Sequence, residues 1–194
     1  SAKEIGAINT IVVKGDELHG FNTDAGAFIS PIVPRIGELS EARCAVIGAG
    51  GAASAAVWSL RQKGAEVTVF ARDVSKARPL AERLGVNLEP LGSALFDGFD
   101  LVVNATTLGT SGAQETETPA TNAQLRGARL AYDLVYNPVE TRFLREARDA
   151  GCELIGGLEM LVTQAAEQFR LWTGAVAPGE VMREAAARAL GHNV

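Results

Sequence analysis

The sequence has little cysteine and no basic stripe, and these shortages argue against disulfide-framework proteins and nucleic-acid binders. Two cysteines in 194 residues cannot build a disulfide framework. Cys44 and Cys152 lie in apolar, strand-like segments, so we expect buried thiols in a reducing compartment. A formal net charge of −5, without a basic stripe, argues against a nucleic-acid partner.

Long apolar runs and clusters of metal ligands are also lacking. No apolar run approaches the length of a membrane span and no signal peptide opens the chain. We therefore expect a soluble, cytoplasmic protein without a membrane partner. The two histidines, His19 and His192, are far apart and have no cysteine or acidic cluster at ligand spacing. The sequence therefore predicts neither a metal site nor a histidine base.

What the chain does contain is a strand, a glycine-rich turn and a helix in direct succession. The apolar run Cys44–Ile47 leads into Gly48–Ala52, and helix-favouring residues follow over 53–63. This order is the context that a dinucleotide-binding fingerprint requires. Gly48 would permit the sharp turn, and Gly50 would let the backbone approach a pyrophosphate. The alternative is a glycine-rich turn that only connects two elements.

The residues after the second predicted strand bear on the choice of cofactor. An acidic residue about 20 positions beyond the glycines would favour NAD, but this chain has Ala71-Arg72-Asp73 there. The guanidinium of Arg72 can pair with a 2′-phosphate, which favours NADP. Asp73 opposes this, because its carboxylate would repel the phosphate or accept a hydrogen bond from a ribose hydroxyl. An arginine that merely decorates the surface is the other interpretation.

Strands and helices alternate from residue 43 onward, which predicts an α/β fold with a parallel sheet. Six strands with the fingerprint after the first suit a doubly wound, Rossmann-type sheet of order 3-2-1-4-5-6. We interpret the link Thr107–Thr121 as a mobile lid over the cofactor. The predicted strands are Cys44–Ile47, Val67–Phe70, Val86–Leu88, Leu101–Asn104, Leu130–Leu134 and Glu153–Ile155. The predicted helices between them are Gly51–Lys63, Val74–Leu84 and Glu140–Ala150.

Two terminal segments do not belong to this sheet. Residues 1–24 contain a short strand, Thr10–Lys14, and a second extended piece after a turn. One helix is predicted over Leu158–Trp172 and a last one from Pro178 to near Leu190. Their apolar faces have little to cover within this sequence, so we expect a substrate domain of which much is missing. Exposed apolar faces also predict self-association, such as a homodimer.

The polar residues that could carry chemistry are concentrated in these terminal segments. Asn9 and Asp24 each end a loop, and Gln164 lies two turns into a predicted helix. Each also has an ordinary interpretation: Asn9 as a turn residue, Asp24 as the N-cap of a helix over Ala25–Ile32, and Gln164 as a solvated side chain.

Six motifs follow one another along the chain. They are Ile5-Gly6-Ala7-Ile8-Asn9-Thr10, Gly20-Phe21-Asn22-Thr23-Asp24, Gly48-Ala49-Gly50-Gly51-Ala52, Asn104-Ala105-Thr106, Tyr132-Asp133-Leu134-Val135-Tyr136 and Gly156-Gly157-Leu158-x-Met160-Leu161-Val162-x-Gln164-Ala165. In this order they cover nearly the whole chain and resemble the shikimate dehydrogenase family. That family reduces 3-dehydroshikimate to shikimate with NADPH, in chorismate and aromatic amino-acid biosynthesis. Its members have a substrate domain, a Rossmann domain and C-terminal helices that return to the first domain.

The resemblance implies roles for individual residues. Asn9, Asp24 and Gln164 would contact the substrate hydroxyls, and Asp24 would also be half of the family's Lys–Asp catalytic pair. Tyr136 would line the substrate cleft near the nicotinamide. Arg72 matches the arginine of the family's Asn-Arg-Thr phosphate clamp, although Ala71 and Asp73 replace its neighbours. Cofactor contacts are implied for Gly48, Ala49, Gly50, Gly51, Ala52, Arg72, Asn104, Thr106, Gly157 and Met160.

The resemblance also implies what the sequence omits. The family's serine pair and catalytic lysine precede the loop at Gly6, and neither Lys3 nor Lys14 fits its lysine motif. We expect the chain as given to bind NADP but to be inactive alone, and the intact enzyme to act on shikimate, with a fusion to dehydroquinate dehydratase possible. The expected units are residues 1–24 as the remnant of a substrate domain, 25–156 as the NADP-binding Rossmann domain, and 157–194 as helices that pack on the substrate domain.

Other functions stay open at this point. An NAD-using quinate/shikimate dehydrogenase differs in the cofactor preference set around Arg72. A nucleotide-binding module without catalysis is an alternative of another class. Other α/β NADP enzymes, such as methylenetetrahydrofolate dehydrogenase or glutamyl-tRNA reductase, would leave the motifs at Gly20–Asp24 and Gly156–Ala165 unexplained.

Overall fold

The computed structural model describes residues 2–191; Ser1 and residues 192–194, which include His192 and the end of the predicted C-terminal segment, lie outside the described residues. The first described elements are a short helix, α1 (Ala2–Ile5), and an antiparallel hairpin of β1 (Thr10–Lys14) and β2 (Glu17–Phe21). The hairpin forms a two-stranded sheet of its own. The strand predicted at Thr10–Lys14 is therefore confirmed.

The helix predicted over Ala25–Ile32 is wrong in its extent. The chain forms two short helices instead, α2 (Asp24–Ile29) and α3 (Val33–Ile36). Pro31 lies between them, and a proline has no N–H with which to continue the helical hydrogen-bond pattern. α2 ends before it, and α3 starts beyond it with Pro34 in its first turn, where a missing N–H costs little.

Six parallel strands form the main sheet, as the sequence predicts. They are β3 (Arg43–Ile47), β4 (Glu66–Ala71), β5 (Asn87–Pro90), β6 (Leu101–Asn104), β7 (Leu130–Asp133) and β8 (Glu153–Ile155). Their spatial order is β5-β4-β3-β6-β7-β8. Counted from β3, this is the doubly wound order 3-2-1-4-5-6, so the predicted fold class is confirmed. The order reverses between β3 and β6, the position at which such sheets bind ligands.

Helices cover both faces of the sheet, and some of them start at a capping side chain. They are α4 (Gly51–Gln62), α5 (Val74–Leu84), α6 (Asn122–Leu125), α7 (Arg142–Asp149), α8 (Gly157–Thr173) and α9 (Gly179–Ala189). The Asp73 carboxylate accepts a hydrogen bond from the Lys76 N–H at 3.2 Å, which caps α5. The Thr141 hydroxyl does the same for the Leu144 N–H at 3.2 Å and caps α7. Such caps satisfy backbone donors that a helix start would leave unpaired.

The hydrophobic core consists of two layers separated by the sheet. Successive residues of a strand face opposite sides, so Cys44 and Val46 of β3 join one layer and Ala45 and Ile47 the other. The first layer includes residues of α2 and α4, and the second includes residues of α7. Both cysteines are buried free thiols, as expected.

The link predicted as a lid, Thr107–Thr121, is held by backbone hydrogen bonds. The Gly109 N–H donates to the Gln114 carbonyl at 2.9 Å, and the Ser111 N–H donates to the Asn137 carbonyl at 2.8 Å. The second bond ties the link to the segment after β7. Motion of the link as a lid stays a prediction.

Apolar side chains are left exposed mainly on the hairpin and the last two helices. Those most exposed on the hairpin are Val13 at 66% and Leu18 at 72%, and on α9 Val181 is 60% exposed. These faces agree with the expectation from the sequence, and self-association through them stays a prediction. Across residues 2–191, no helix combines the length and apolar character that crossing a bilayer requires.

Candidate functional site

The glycine loop lies where the strand order reverses, between β3 and α4. Gly48 has φ of +120°, and a Cβ there would lie 2.8 Å from the Ala105 carbonyl oxygen. Only glycine permits this approach between the loop and the end of β6. At Gly50, the N-cap of α4, a Cβ would meet nothing within 4 Å. The loop thus leaves open space in front of the α4 N-terminus, where unpaired N–H groups and the helix dipole favour an anion.

Cationic side chains border the same space on its β4 side. A cavity of about 400 Å³ is lined by the glycine loop, Arg72, Asp73 and Lys76, together with the segment 105–108. The Lys76 ammonium lies 3.6 Å from the Asp73 carboxylate, which also caps α5. This carboxylate is therefore already engaged, while the exposed Arg72 borders the cavity. The predicted proximity of Arg72 to the glycine loop is thus found in the structure.

Asn104 lies at the end of β6, but its side chain does not line a cavity. Its amide is fully buried and donates to the Asp133 carboxylate at 2.9 Å and to the Leu108 carbonyl at 3.2 Å. Its oxygen accepts from the N–H and the hydroxyl of Thr106, at 3.0 Å and 2.7 Å. Every hydrogen-bonding group of the amide is engaged, so Asn104 holds the loop that carries Thr106. Direct contact of either residue with a cofactor stays a prediction.

Asp133 is a buried carboxylate for which the sequence analysis proposes no role of its own. It lies at the end of β7 and accepts hydrogen bonds from Asn104, from the Val135 N–H at 3.0 Å, and from the Thr141 hydroxyl. Burial raises the pKa of Asp133 to about 6, although these three hydrogen bonds oppose the shift. The sequence does carry one sign of this role: Asn104 and Asp133 are the polar residues that end two adjacent apolar strands.

The predicted substrate residues form one polar cluster on the hairpin side. The Asn9 amide nitrogen lies 2.8 Å from an Asp24 carboxylate oxygen and 3.2 Å from the Gln164 side-chain oxygen. Asn9 precedes β1, Asp24 is the first residue of α2, and Gln164 lies in α8. The fold thus assembles three residues that are up to 155 positions apart in the sequence.

Asp24 is not the N-cap of α2. Thr23 occupies that position, and the Asn22 side-chain oxygen accepts a hydrogen bond from the Ala25 N–H at 3.1 Å. The Asp24 carboxylate is therefore available to the polar cluster. Burial raises the pKa of Asp24 above its ordinary value, and the hydrogen bond from Asn9 opposes this.

A small cavity joins the polar cluster to the glycine-loop side of the molecule. It measures about 150 Å³ and is lined by Asp24, Ala52, Leu134, Tyr136, Gly157, Met160, Leu161 and Gln164. Tyr136 is 44% exposed and also lines a neighbouring cavity of about 360 Å³ beside Thr106. The cluster, the start of α4 and the start of α8 therefore face one cleft.

Gly157 supports this cleft by packing. A Cβ at Gly157 would lie 2.5 Å from the Val135 carbonyl oxygen and 2.7 Å from that of Leu134. The glycine therefore lets α8 approach the end of β7, and Met160 follows on the buried side. A cofactor contact of Gly157 or Met160 stays a prediction. Among the described residues, no group of three or more His, Cys, Asp or Glu side chains could hold a metal ion.

Comparison with known proteins gives matches over most of the chain. The family model described as "Shikimate / quinate 5-dehydrogenase" matches residues 32–136, and "Shikimate 5'-dehydrogenase C-terminal domain" matches residues 157–187. The curated shikimate dehydrogenase (NADP(+)) of Methanosarcina acetivorans is 39% identical over 97% of this chain and 71% of its own length.

Solved structures agree in fold. The shikimate 5-dehydrogenase of Thermus thermophilus, in complex with NADP(H) and shikimate, is 41% identical with a TM-score of 0.86, covering 97% of this chain and 70% of that one. The quinate dehydrogenase of Corynebacterium glutamicum, in complex with NAD, is 30% identical with a TM-score of 0.84. The match covers 97% of this chain and 70% of that one.

The packing at Gly157 can be tested against the adjacent glycine. In Gly157→Ala the new methyl group would overlap two backbone carbonyls, and we expect a loss of about 1–3 kcal/mol in the free energy of unfolding. In the control Gly156→Ala the nearest atom to the Cβ is 3.8 Å away, so the loss should stay below about 1 kcal/mol. Urea denaturation measures both; equal losses would contradict the packing role.

Proposed function

This chain belongs to the shikimate dehydrogenase family, and on that premise we propose that it carries the NADP(H) site and part of the substrate site of an enzyme that interconverts 3-dehydroshikimate and shikimate. The observation that carries the proposal is the cleft in which Asp24 and Gln164 face the start of α4. A substrate held by the polar cluster would lie next to a nucleotide held by the glycine loop. The reaction belongs to chorismate and aromatic amino-acid biosynthesis in the family, and the predicted cytoplasmic location stays a prediction.

The residues on the β4 side fit NADP(H). The open space at Gly50 would be the place of the pyrophosphate, and Arg72 and Lys76 line the same cavity with positive charge. Asp73 is engaged as the cap of α5, which weakens the argument that its carboxylate would hold a ribose hydroxyl. The NADP named for the Methanosarcina acetivorans and Thermus thermophilus relatives supports the same choice.

The bound cofactor would supply the hydride, and the chain must orient the substrate and handle a proton. Negative charge develops on the carbonyl oxygen during reduction, so an acid is needed beside it. The Asn9 amide nitrogen holds the Asp24 carboxylate, and the Gln164 side-chain oxygen lies beside the same nitrogen. We propose that these side chains bind the substrate hydroxyls and that Asp24 orients the acid.

None of the ion pairs formed among residues 2–191 involves Asp24. An aspartate alone is mostly ionised at neutral pH and is a poor acid. We therefore propose that a polypeptide limited to residues 1–194 binds NADP(H) with little or no turnover. The corresponding units are residues 1–24 for part of the substrate domain, 25–156 for the NADP(H) domain and 157–194 for the returning helices.

Two other functions compete with this one. An NAD-using quinate dehydrogenase shares the fold, as the Corynebacterium glutamicum structure illustrates. If this chain had that function, it would bind NAD as strongly as NADP or more strongly. A nucleotide-binding module without catalysis would need no polar cluster, so the assembly of Asn9, Asp24 and Gln164 favours the enzyme.

The first test concerns the 2′-phosphate. Arg72→Ala should weaken NADP binding by about tenfold or more, because a charge-assisted hydrogen bond contributes about 1.5–3 kcal/mol, and should leave NAD binding nearly unchanged. Calorimetric titration measures both affinities. Arg78→Ala is the control, since Arg78 lies on α5 outside the residues that line the cavity. Equal affinities of the unmutated chain for NADP and NAD would contradict the proposal.

The second test concerns the pyrophosphate. Gly50→Val would place a side chain in the open space in front of α4. No protein atom lies within 4 Å of the new Cβ, so the substitution should not disturb the fold. We expect cofactor binding to be lost while circular dichroism keeps the native spectrum. Unchanged affinity would show that the loop is only a connection.

The third test concerns turnover. Residues 1–194 alone should show no measurable reduction of NADP+ by shikimate. A fusion in which the N-terminal segment of the Thermus thermophilus relative precedes residue 1 should catalyse this reaction. In the fusion, Asp24→Asn should lower the rate by up to about 10²–10⁴-fold, the contribution of the acid–base group that Asp24 orients. Asp16→Asn, in the exposed turn of the hairpin, is the control. Robust turnover by the short chain, or full activity of the Asp24→Asn fusion, would overturn the proposed mechanism.

A further inference from the structure

Three fully buried polar side chains form a cluster at the ends of β6 and β7. Asn104, Asp133 and Thr141 have relative exposures of 0%. Asn104 lies directly opposite Asp133 in the parallel register of the two strands, and Thr141 caps α7. We call these three residues the carboxylate cluster. The proposed mechanism uses none of their side chains.

The direction of each hydrogen bond in the cluster is determined. The Thr106 N–H can only donate, so the Asn104 oxygen faces it at 3.0 Å and the Asn104 nitrogen must face Asp133. The Val135 N–H is likewise only a donor, 3.0 Å from the same carboxylate oxygen. The Thr141 hydroxyl accepts from the Leu144 N–H and donates its proton to the other oxygen of the ionised carboxylate, which can only accept. Asp133 therefore accepts from three donors, which suits a carboxylate.

These bonds connect the two segments that form one wall of the cleft. Through Asn104 the carboxylate holds the segment after β6, and through its own bond to Val135 it holds the segment after β7. Residues 105–107 and 134–137 of these segments line the cavity of about 360 Å³ that also includes Tyr136. The Asp133 carboxylate thus fixes the distance between these two segments.

The position of this wall identifies what it would contact. A dinucleotide lies across the crevice where the strand order reverses. The adenosine half is placed on the β4 side by Arg72 and the glycine loop, so the other half extends toward β6 and β7. We propose that the carboxylate cluster positions the wall against which the nicotinamide half of NADP(H) binds, with Asp133 as a positioning residue. This inference rests on the proposed function.

The test compares the whole cofactor with its adenosine half. Thr141→Val removes one donor and keeps the shape of the side chain, Asp133→Asn removes the charge, and Thr141→Ser keeps the hydroxyl as the matched control. Calorimetric titration with NADP+ and with adenosine 2′,5′-bisphosphate is run on residues 1–194. The first two variants should bind NADP+ at least about tenfold more weakly, because a wall that has lost a hydrogen bond to a charged group must be ordered when the cofactor binds. Affinity for the bisphosphate should stay within about twofold, and Thr141→Ser should match the unmutated chain for both ligands.

Each other result has a defined meaning. Equal weakening for both ligands in Thr141→Val would show a general loss of structure, and unchanged NADP+ affinity would show that the wall does not depend on the cluster. Either result overturns the inference while the proposed function stands. If the unmutated chain bound neither ligand, the proposed function would fail and the inference with it. Should Asp133→Asn not fold, Thr141→Val against Thr141→Ser decides alone.

Discussion

Two close approaches between backbone segments determine the shape of the cleft. At Gly48 the loop after β3 lies against the Ala105 carbonyl, and at Gly157 the start of α8 lies against the Val135 carbonyl. A side chain at either position would need space that the carbonyl oxygens occupy. The first contact brings the α4 N-terminus to the point where the strand order reverses. The second brings Met160 and Gln164 toward the same point, so a nucleotide site and a polar cluster share one cleft.

Two carboxyl groups near this cleft, those of Asp133 and Asp24, differ in their surroundings. Within the carboxylate cluster, Asp133 accepts hydrogen bonds from Asn104, Thr141 and the neighbouring Val135 N–H, which a buried carboxylate requires if it is to stay ionised. Asp24 is only partly buried and keeps capacity for a ligand, with Asn9 holding it in place. Both carboxyl groups have a pKa raised by burial, but only Asp24 lines a cavity. Of these two carboxyl groups, Asp24 is accessible from a cavity and Asp133 is fully buried.

Much of this architecture was predictable from local sequence. The apolar runs at Leu101–Asn104 and Glu153–Ile155 match the observed strands residue for residue, because each is short, fully apolar at its centre and bounded by turn residues. The helix predicted over Ala25–Ile32 was wrong, because the apolar pattern continues across Pro31 whereas the helical hydrogen bonds do not. The role of Asp133 depends on the register of β6 with β7 and on a cap eight residues later. Such pairings arise from tertiary packing, and the local sequence shows only that each of the two strands ends in a polar residue.

The most direct measurement is a crystal structure of residues 1–194 with NADP+ bound. We expect the 2′-phosphate beside Arg72 and the pyrophosphate in front of Gly50. We also expect the nicotinamide between residues 105–107 and 134–137, with its reactive face toward Asp24. A nicotinamide bound away from these segments, or a 2′-phosphate without contact to Arg72 or Lys76, would contradict it.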